Sequence, residues 1–301
     1  VGSNSLAVYT TVYPGVEKYL AAWSRSVCRQ TDCNFDLWIG IDSLSLDQVS
    51  AVMEADLRPN WLVTSDGQSP TQIRINAIKQ LGNCYSSVVF VDSDDLLHPS
   101  RVKAARASLE HFDVVACALR IIDESGHDLG ITFGAEKRED LDSLLPRYNV
   151  FGLSNTAYRA EVLRRCLPIS DASELLDWQL ATRAWMRGAA LGFDPTPRML
   201  YRQYSSNLAR VLPPFNTQHV SVATLKVLGH YRCLFEVIDD LPLKHRDALL
   251  AARERAQSFH LSISRSAETL DRYVQALNRI TPEYVWWWCV AHPELENIWK
   301  N

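Results

Sequence analysis

The chain has 301 residues, 47% of them hydrophobic and 22% charged, with a formal net charge of −4. That length buries a sizeable core, and the composition is that of a soluble globular protein. The charge balance excludes a general affinity for nucleic acid or anionic lipid, and no apolar run approaches the length of a membrane span.

In chain order, Leu6–Val12 reads as a strand, and Val16 to about Arg29 as a helix after Pro14-Gly15. Phe35–Ile41 is a second strand, Leu46–Ala55 a short helix, Trp61–Thr64 a third strand and Thr71–Leu81 a helix. Ser87–Val91, with the apolar run Val88–Val91, is a fourth strand, followed by a helix over Ser100–His111 with Pro99 near its start. Strands alternating with helices indicate βαβ units and a largely parallel sheet. Val114–Ile122 and Asp128–Phe133 then flank a hairpin turn at Glu124-Ser125-Gly126-His127, and Glu174–Arg187 is a helix closed by Gly188. Beyond about residue 211 helical periodicity takes over, with helices at 217–238, 244–258 and 267–279. Their separators are Asp240-Leu241-Pro242, Ser262–Ser266 and Thr281-Pro282. The division falls near Pro213-Pro214: an α/β domain over 1–212 and a helical extension over 213–301.

The seven cysteines form no CxxC pair and no Cys/His ligand spacing, so a disulfide framework and zinc are not expected. They read as small buried hydrophobes of a reducing compartment. Val1 to Ser5 lack a basic region leading into an apolar core, so no signal peptide is expected and a cytoplasmic protein is the default.

The fourth strand runs straight into Asp92-Ser93-Asp94-Asp95. Three carboxylates so close repel one another unless a cation or sugar hydroxyls absorb them. They also sit at the carboxyl end of a buried strand, where open α/β sheets bind ligands. A calcium loop is excluded because the Gly at the sixth position and the closing Glu are absent. A phosphatase of the haloacid dehalogenase type, with Asp92 as nucleophile, fits less well: Leu96 replaces the usual Thr or Val, and three strands precede the motif. A nucleotide-sugar site is the third reading, with carboxylates holding a hard divalent cation against a diphosphate. A solvated acidic turn is the bland alternative.

Four blocks in order resemble the inverting family 2 glycosyltransferases of the GT-A fold. They are Val12-Tyr13-Pro14 with Glu17–Leu20; Ile41-Asp42-Ser43 and Arg74-Ile75-Asn76 leading to Phe90–Asp95; Leu176-Asp177-Trp178-Gln179-Leu180 with Arg183 and Gly188; and Tyr201-Arg202-Gln203-Tyr204 with Asn207. The resemblance covers residues 6 to about 210 and implies a Rossmann-like, mostly parallel mixed sheet flanked by helices, with the C-terminal helices as an extension. It implies transfer of a sugar, with inversion, from a nucleotide diphosphate donor (a UDP-sugar first) to a glycan or other hydroxyl acceptor, using Mn²⁺ or Mg²⁺. Asp177 is then the general base. Asp94 and Asp92 ligate the metal, and Asp95 joins Asp92 in supporting the donor. Asp42, Thr11 and Tyr13 line the base pocket, and Arg74 and Arg202 hold the base or phosphates. In a bacterial setting the resemblance suggests polysaccharide or glycoconjugate assembly, in the cytoplasm or at the inner face of the membrane.

Two positions depart from the pattern. Leu176 stands where the family has a Glu before the catalytic Asp, and Tyr204 where it has a metal-binding His. A neutral phenol is a poor ligand for a hard cation, so a water or His98 is a candidate substitute. These departures keep a catalytically degenerate domain, binding glycan or a protein partner, as the alternative. Trp286-Trp287-Trp288 is expected to pack in the core of the helical tail, whose aromatic surface is a candidate dimer interface.

Overall fold

In the computed structural model, residues 5–63, 67–134, 141–204, 207, 209–236 and 243–300 are described. The readings at residues 1–4, Thr64, 237–238 and 240–242 lie outside them. The elements in order are β1 (Leu6–Val12), α1 (Glu17–Cys28), β2 (Asp36–Ile41), α2 (Leu46–Ser50), β3 (Asn60–Val63), α3 (Pro70–Cys84) and β4 (Ser87–Phe90). Next come β5 (Leu96–Leu97), α4 (Arg101–Ser108), β6 (Val114–Ile122), β7 (Asp128–Phe133), α5 (Leu141–Leu144), β8 (Thr156–Arg159), α6 (Ala160–Cys166), α7 (Leu176–Met186) and β9 (Leu191–Arg202). The C-terminal third holds α8 (Thr217–Phe235), α9 (Leu243–Arg265), α10 (Ala267–Leu277) and α11 (Glu296–Trp299).

One mixed sheet carries the molecule, in the order β3-β2-β1-β4-β8-β6-β9-β5, with β7 hydrogen-bonded to β6. The first four strands are parallel, β8 runs antiparallel to both β4 and β6, and β6 and β9 are parallel. All seven residues of β1 are buried, as a parallel strand covered on both faces requires. Gly40 of β2 is needed for the packing beside it: a Cβ there would lie 2.5 Å from the Tyr9 hydroxyl oxygen. α2 and α3 open with capping boxes, Ser45 with Gln48 and Ser69 with Gln72, and α3 has Pro in its first turn.

The register sets the site. Tyr9 pairs with Phe90 and Val12 with Ile41, so β1, β2 and β4 end together at one edge of the sheet. Asp42 N–H donates to Val12 O (2.9 Å) and Ser93 Oγ to Thr11 O (2.8 Å), tying the three strand ends.

The C-terminal helices continue the hydrophobic core of the α/β part as one cluster. α9 runs to Arg265, through the expected break at Ser262–Ser266. Buried Ala252, Ala256, Phe259 and Ile263 keep the helical spacing, and Ser266 instead caps α10 through Thr269 N–H. Trp286–Trp288 are buried as expected, but outside any helix: Trp286 is in an isolated β-bridge, and Trp287 and Trp288 are in a turn, with Trp287 at φ 71°. Trp286 makes a two-way backbone bridge to Asn149. Four cysteines are buried as expected, whereas Cys28, Cys33 and Cys84 are exposed. Among the described residues no helix is long and apolar enough to cross a membrane.

Candidate active site

A cleft of about 780 Å³ opens at the carboxyl edge of the sheet. Thr11, Tyr13, Asp42, Arg74, Asp92, Asp94 and Asp177 all line it, so seven of the nine residues singled out from the sequence meet in one place. The wall opposite the strand ends comes from Asp171–Asp177 and from Trp286 and Trp287 of the C-terminal segment.

Asp92 and Asp94 follow β4 directly, on the side of the loop that faces the cleft. Asp92 is half-buried, and its carboxylate accepts no hydrogen bond from a described residue. Burial, then the neighbouring Asp94, push its carboxyl up to about 7, against the opposing charge of Arg74. Asp94 Oδ2 accepts from the Tyr204 hydroxyl (2.6 Å) and from the Tyr13 hydroxyl (3.3 Å). Burial and the charge of Asp94 hold both phenols well above their ordinary range, so both remain protonated donors. The guanidinium of Arg74, one turn into α3, makes no hydrogen bond to a described residue and acts on Asp92 and Asp177 through its charge. It is therefore available to a ligand.

Asp177 sits in the first turn of α7. The nearby main-chain N–H groups of Trp178 and of Asp177 itself favour its ionised form, as the electropositive start of a helix does. Its Oδ2 accepts from Asn149 Nδ2 (2.8 Å). Burial outweighs these donors and the charge of Arg74, and raises the carboxyl to about 6. α7 is fixed from behind: Trp178 stacks on His230 of α8 with ring centroids 4.0 Å apart, and its Nε1 donates to Leu145 O (2.9 Å).

The structure does not bring Asp95 and Arg202 to the cleft. Asp95 is 1% exposed, and its carboxylate is held by Ser154 Oγ and by the main-chain N–H of Arg202 (2.7 Å). Arg202 is 3% exposed, its guanidinium donating to the carbonyls of Asp94 (2.8 Å), Asp123 (3.2 Å) and Glu124 (2.9 Å) over the ring of Tyr19. Both groups hold the acidic loop in place. His98 is exposed, bonded to Ser100 Oγ (2.8 Å), and does not line the cleft, so it does not stand in for a metal ligand.

Two hard-oxygen groups, Asp92 and Asp94, suit a divalent cation of the Mg²⁺ or Mn²⁺ type. Among the described residues no set of three or more His, Cys, Asp or Glu is arranged to hold a metal. The fit is thus to a cation whose remaining ligands come from phosphate oxygens and water. Tyr204 contributes a hydrogen bond to Asp94 rather than a ligand.

Sequence reasoning missed Asn149, Ser154 and the Trp286-Trp287 wall. The one legible signal was Asn149 itself, a polar residue among Tyr148, Val150 and Phe151.

This sheet order, with an acidic loop after its fourth strand and a carboxylate at the head of a facing helix, is the GT-A fold of glycosyltransferases. Solved structures agree. The first 349 residues of TarS from S. aureus, in complex with UDP-GlcNAc, superpose with a TM-score of 0.57 at 17% identity, over 88% of this chain and 74% of that one. The mannosyltransferase PcManGT from Pyrobaculum calidifontis, in complex with GDP-Man and Mn²⁺, gives a TM-score of 0.60 at 13% identity, over 93% and 76%. No protein-family model matches the chain, and no curated protein sequence matches it. The acidic loop follows the fourth strand of the chain and not the first, where the phosphatase reading would place it.

Proposed function

We propose that the chain is an inverting glycosyltransferase that moves a sugar from a nucleoside diphosphate donor, UDP-linked in the first instance, to a hydroxyl of a glycan or other acceptor. The observation that carries this is the meeting of Asp92, Asp94, Arg74 and Asp177 in a single cleft. Thr11, Tyr13 and Asp42 form the nucleoside end, and Arg74 holds the base or a phosphate. Asp92 and Asp94 hold a divalent cation, which when bound neutralises the diphosphate leaving group. Asp177 takes the proton from the acceptor hydroxyl as its oxygen bonds to the anomeric carbon and the bond to the diphosphate breaks on the opposite face. A carboxyl raised to about 6 is ionised at neutral pH, yet basic enough to accept that proton. The division into a donor-binding part over 1–212 and a helical extension over 213–301 belongs to the same reading, as does a dimer through the tail.

The test is hydrolysis of a panel of α-linked nucleotide sugars with Mn²⁺, followed by proton NMR, for wild type and Asp177→Asn. The β-anomer is expected as first product, with turnover falling by about 10²–10⁴-fold in the variant. The α-anomer contradicts inversion. Nucleotide binding without turnover, against any acceptor tried and unchanged by Asp177→Asn, supports a degenerate binding domain instead.

A further inference from the structure

We propose that Asn149 is the positioning residue of the catalytic carboxylate, and that the C-terminal segment holds it in register through Trp286. The inference rests on the reading of Asp177 as general base.

Asn149 is fully buried, and its side-chain amide is paired at both ends. Its Oδ1 accepts from Phe151 N–H (2.8 Å), which leaves Nδ2 as the end that meets Asp177 Oδ2 at 2.8 Å. The amide therefore has a single orientation consistent with its network. A carboxylate with one oxygen pinned by a rigid donor cannot rotate freely about its Cβ–Cγ bond. That is the restraint a proton acceptor needs to keep its geometry toward an incoming hydroxyl.

The main chain of Asn149 is fixed from the C-terminal segment. Its N–H donates to Trp286 O (3.3 Å), and Trp286 N–H donates back to its carbonyl (3.0 Å). The Trp286 indole is itself locked. It lies over Gly152, where a Cβ would approach it to 2.7 Å, and packs edge-on against Phe133 at 4.6 Å and Tyr201 at 5.8 Å. Residues far apart in sequence thus form one support behind the base. The helical extension completes the catalytic apparatus rather than merely covering it.

The other groups facing Asp177 are Arg74 from α3, Asp92 after β4, the buried Tyr158 phenol of β8, and the main-chain N–H groups of its own helix. None of these changes when Asn149 is replaced, so the amide's contribution can be read separately.

Asn149→Asp preserves volume and the acceptor for Phe151 N–H, and replaces the amide donor to Asp177 with a second carboxyl, whereas Asn149→Ala removes the donor without adding charge. The readout is the pH dependence of kcat/KM for donor hydrolysis with Mn²⁺, with nucleotide affinity as the control for folding. The acidic limb is expected to move upward by about one pH unit, lowering kcat/KM about tenfold below the limb. UDP affinity should stay within about threefold of wild type. Asn149→Ala should shift the limb in the same direction, showing that the effect is the lost donor rather than the added carboxyl. Trp286→Phe should shift it by a smaller amount. A uniform fall in rate with the limb unmoved in both Asn149 variants overturns the positioning role, leaving Asn149 structural. An unmoved limb in Trp286→Phe alone overturns the role of the C-terminal segment. Full turnover by Asp177→Asn overturns the base assignment and this inference together, whereas loss of turnover there with unmoved limbs here overturns this inference alone.

Discussion

Replacing Arg202 with methionine keeps most of the buried stem and removes the guanidinium. In the structure that group donates three hydrogen bonds to the carbonyls of Asp94, Asp123 and Glu124, and lies 4.5 Å from the centroid of the Tyr19 ring. A hydrogen bond to a charged group contributes about 1.5–3 kcal/mol net, and three sharing one donor do not add fully, so the expected loss is about 3–5 kcal/mol. For a chain of this length that is a fall in Tm of about 5–8 °C. Urea unfolding followed by tryptophan fluorescence measures it directly, with nine tryptophans as reporters. If the unfolding free energy stays within about 1 kcal/mol of wild type, a buried structural role for Arg202 is refuted, and its place as a phosphate ligand returns.

Three further outcomes are expected. In Asp92→Asn the folded state no longer carries a carboxyl raised to about 7, a proton the unfolded chain releases near its ordinary value. The fold therefore loses stability in wild type, relative to the variant, as pH rises from about 5 to about 7. The stability gap should widen by about 1–2 kcal/mol over that window in urea titrations; a constant gap contradicts the shift. The comparison between two chains cancels His230, whose burial holds it neutral and down at about 3 in both. Tyr204→His replaces a hydrogen-bond donor on Asp94 with a metal-binding nitrogen. Mn²⁺ affinity without nucleotide, read from the paramagnetic resonance signal of free Mn²⁺, should rise about tenfold or more, and no change contradicts the placement of Tyr204 at the metal position. Gly152→Ala drives a Cβ against the Trp286 ring and should lower Tm, corresponding to about 1–3 kcal/mol, whereas an unchanged Tm contradicts the close approach.

The half of the fold built on β1 to β4 was legible because buried parallel strands are continuous apolar runs. β1, β2 and β4 stand out between turn signals, and β6 and β7 were bounded to the residue around their hairpin. β9 was not legible. Pro195 and Pro197 interrupt it, and the sheet absorbs them at register shifts opposite Cys117–Leu119 that no local pattern reveals. β8 is only four residues long and runs directly into α6.

In the site, Asp92 and Asp94 stood out as carboxylates at the end of a buried strand, whereas Asp42, Arg74 and Asp177 were singled out through the family resemblance. Asp95 and Arg202 looked equivalent in charge, yet they turn inward to hold the loop, because side-chain direction in a turn depends on tertiary partners such as Ser154. Tyr204 was legible as a departure, but its bond to Asp94 was not. Asn149 escaped because its role depends on Trp286, far along the chain.

The central claim is that Asp92 and Asp94 bind a nucleoside diphosphate sugar through a divalent cation. Its most direct test is calorimetric titration of UDP- and GDP-sugars into wild type and Asp94→Ala, with and without Mn²⁺. Saturable binding that requires Mn²⁺, and that Asp94→Ala weakens by about a hundredfold, is the expected result. Failure of every nucleotide sugar to bind, or binding indifferent to both the metal and Asp94, contradicts it.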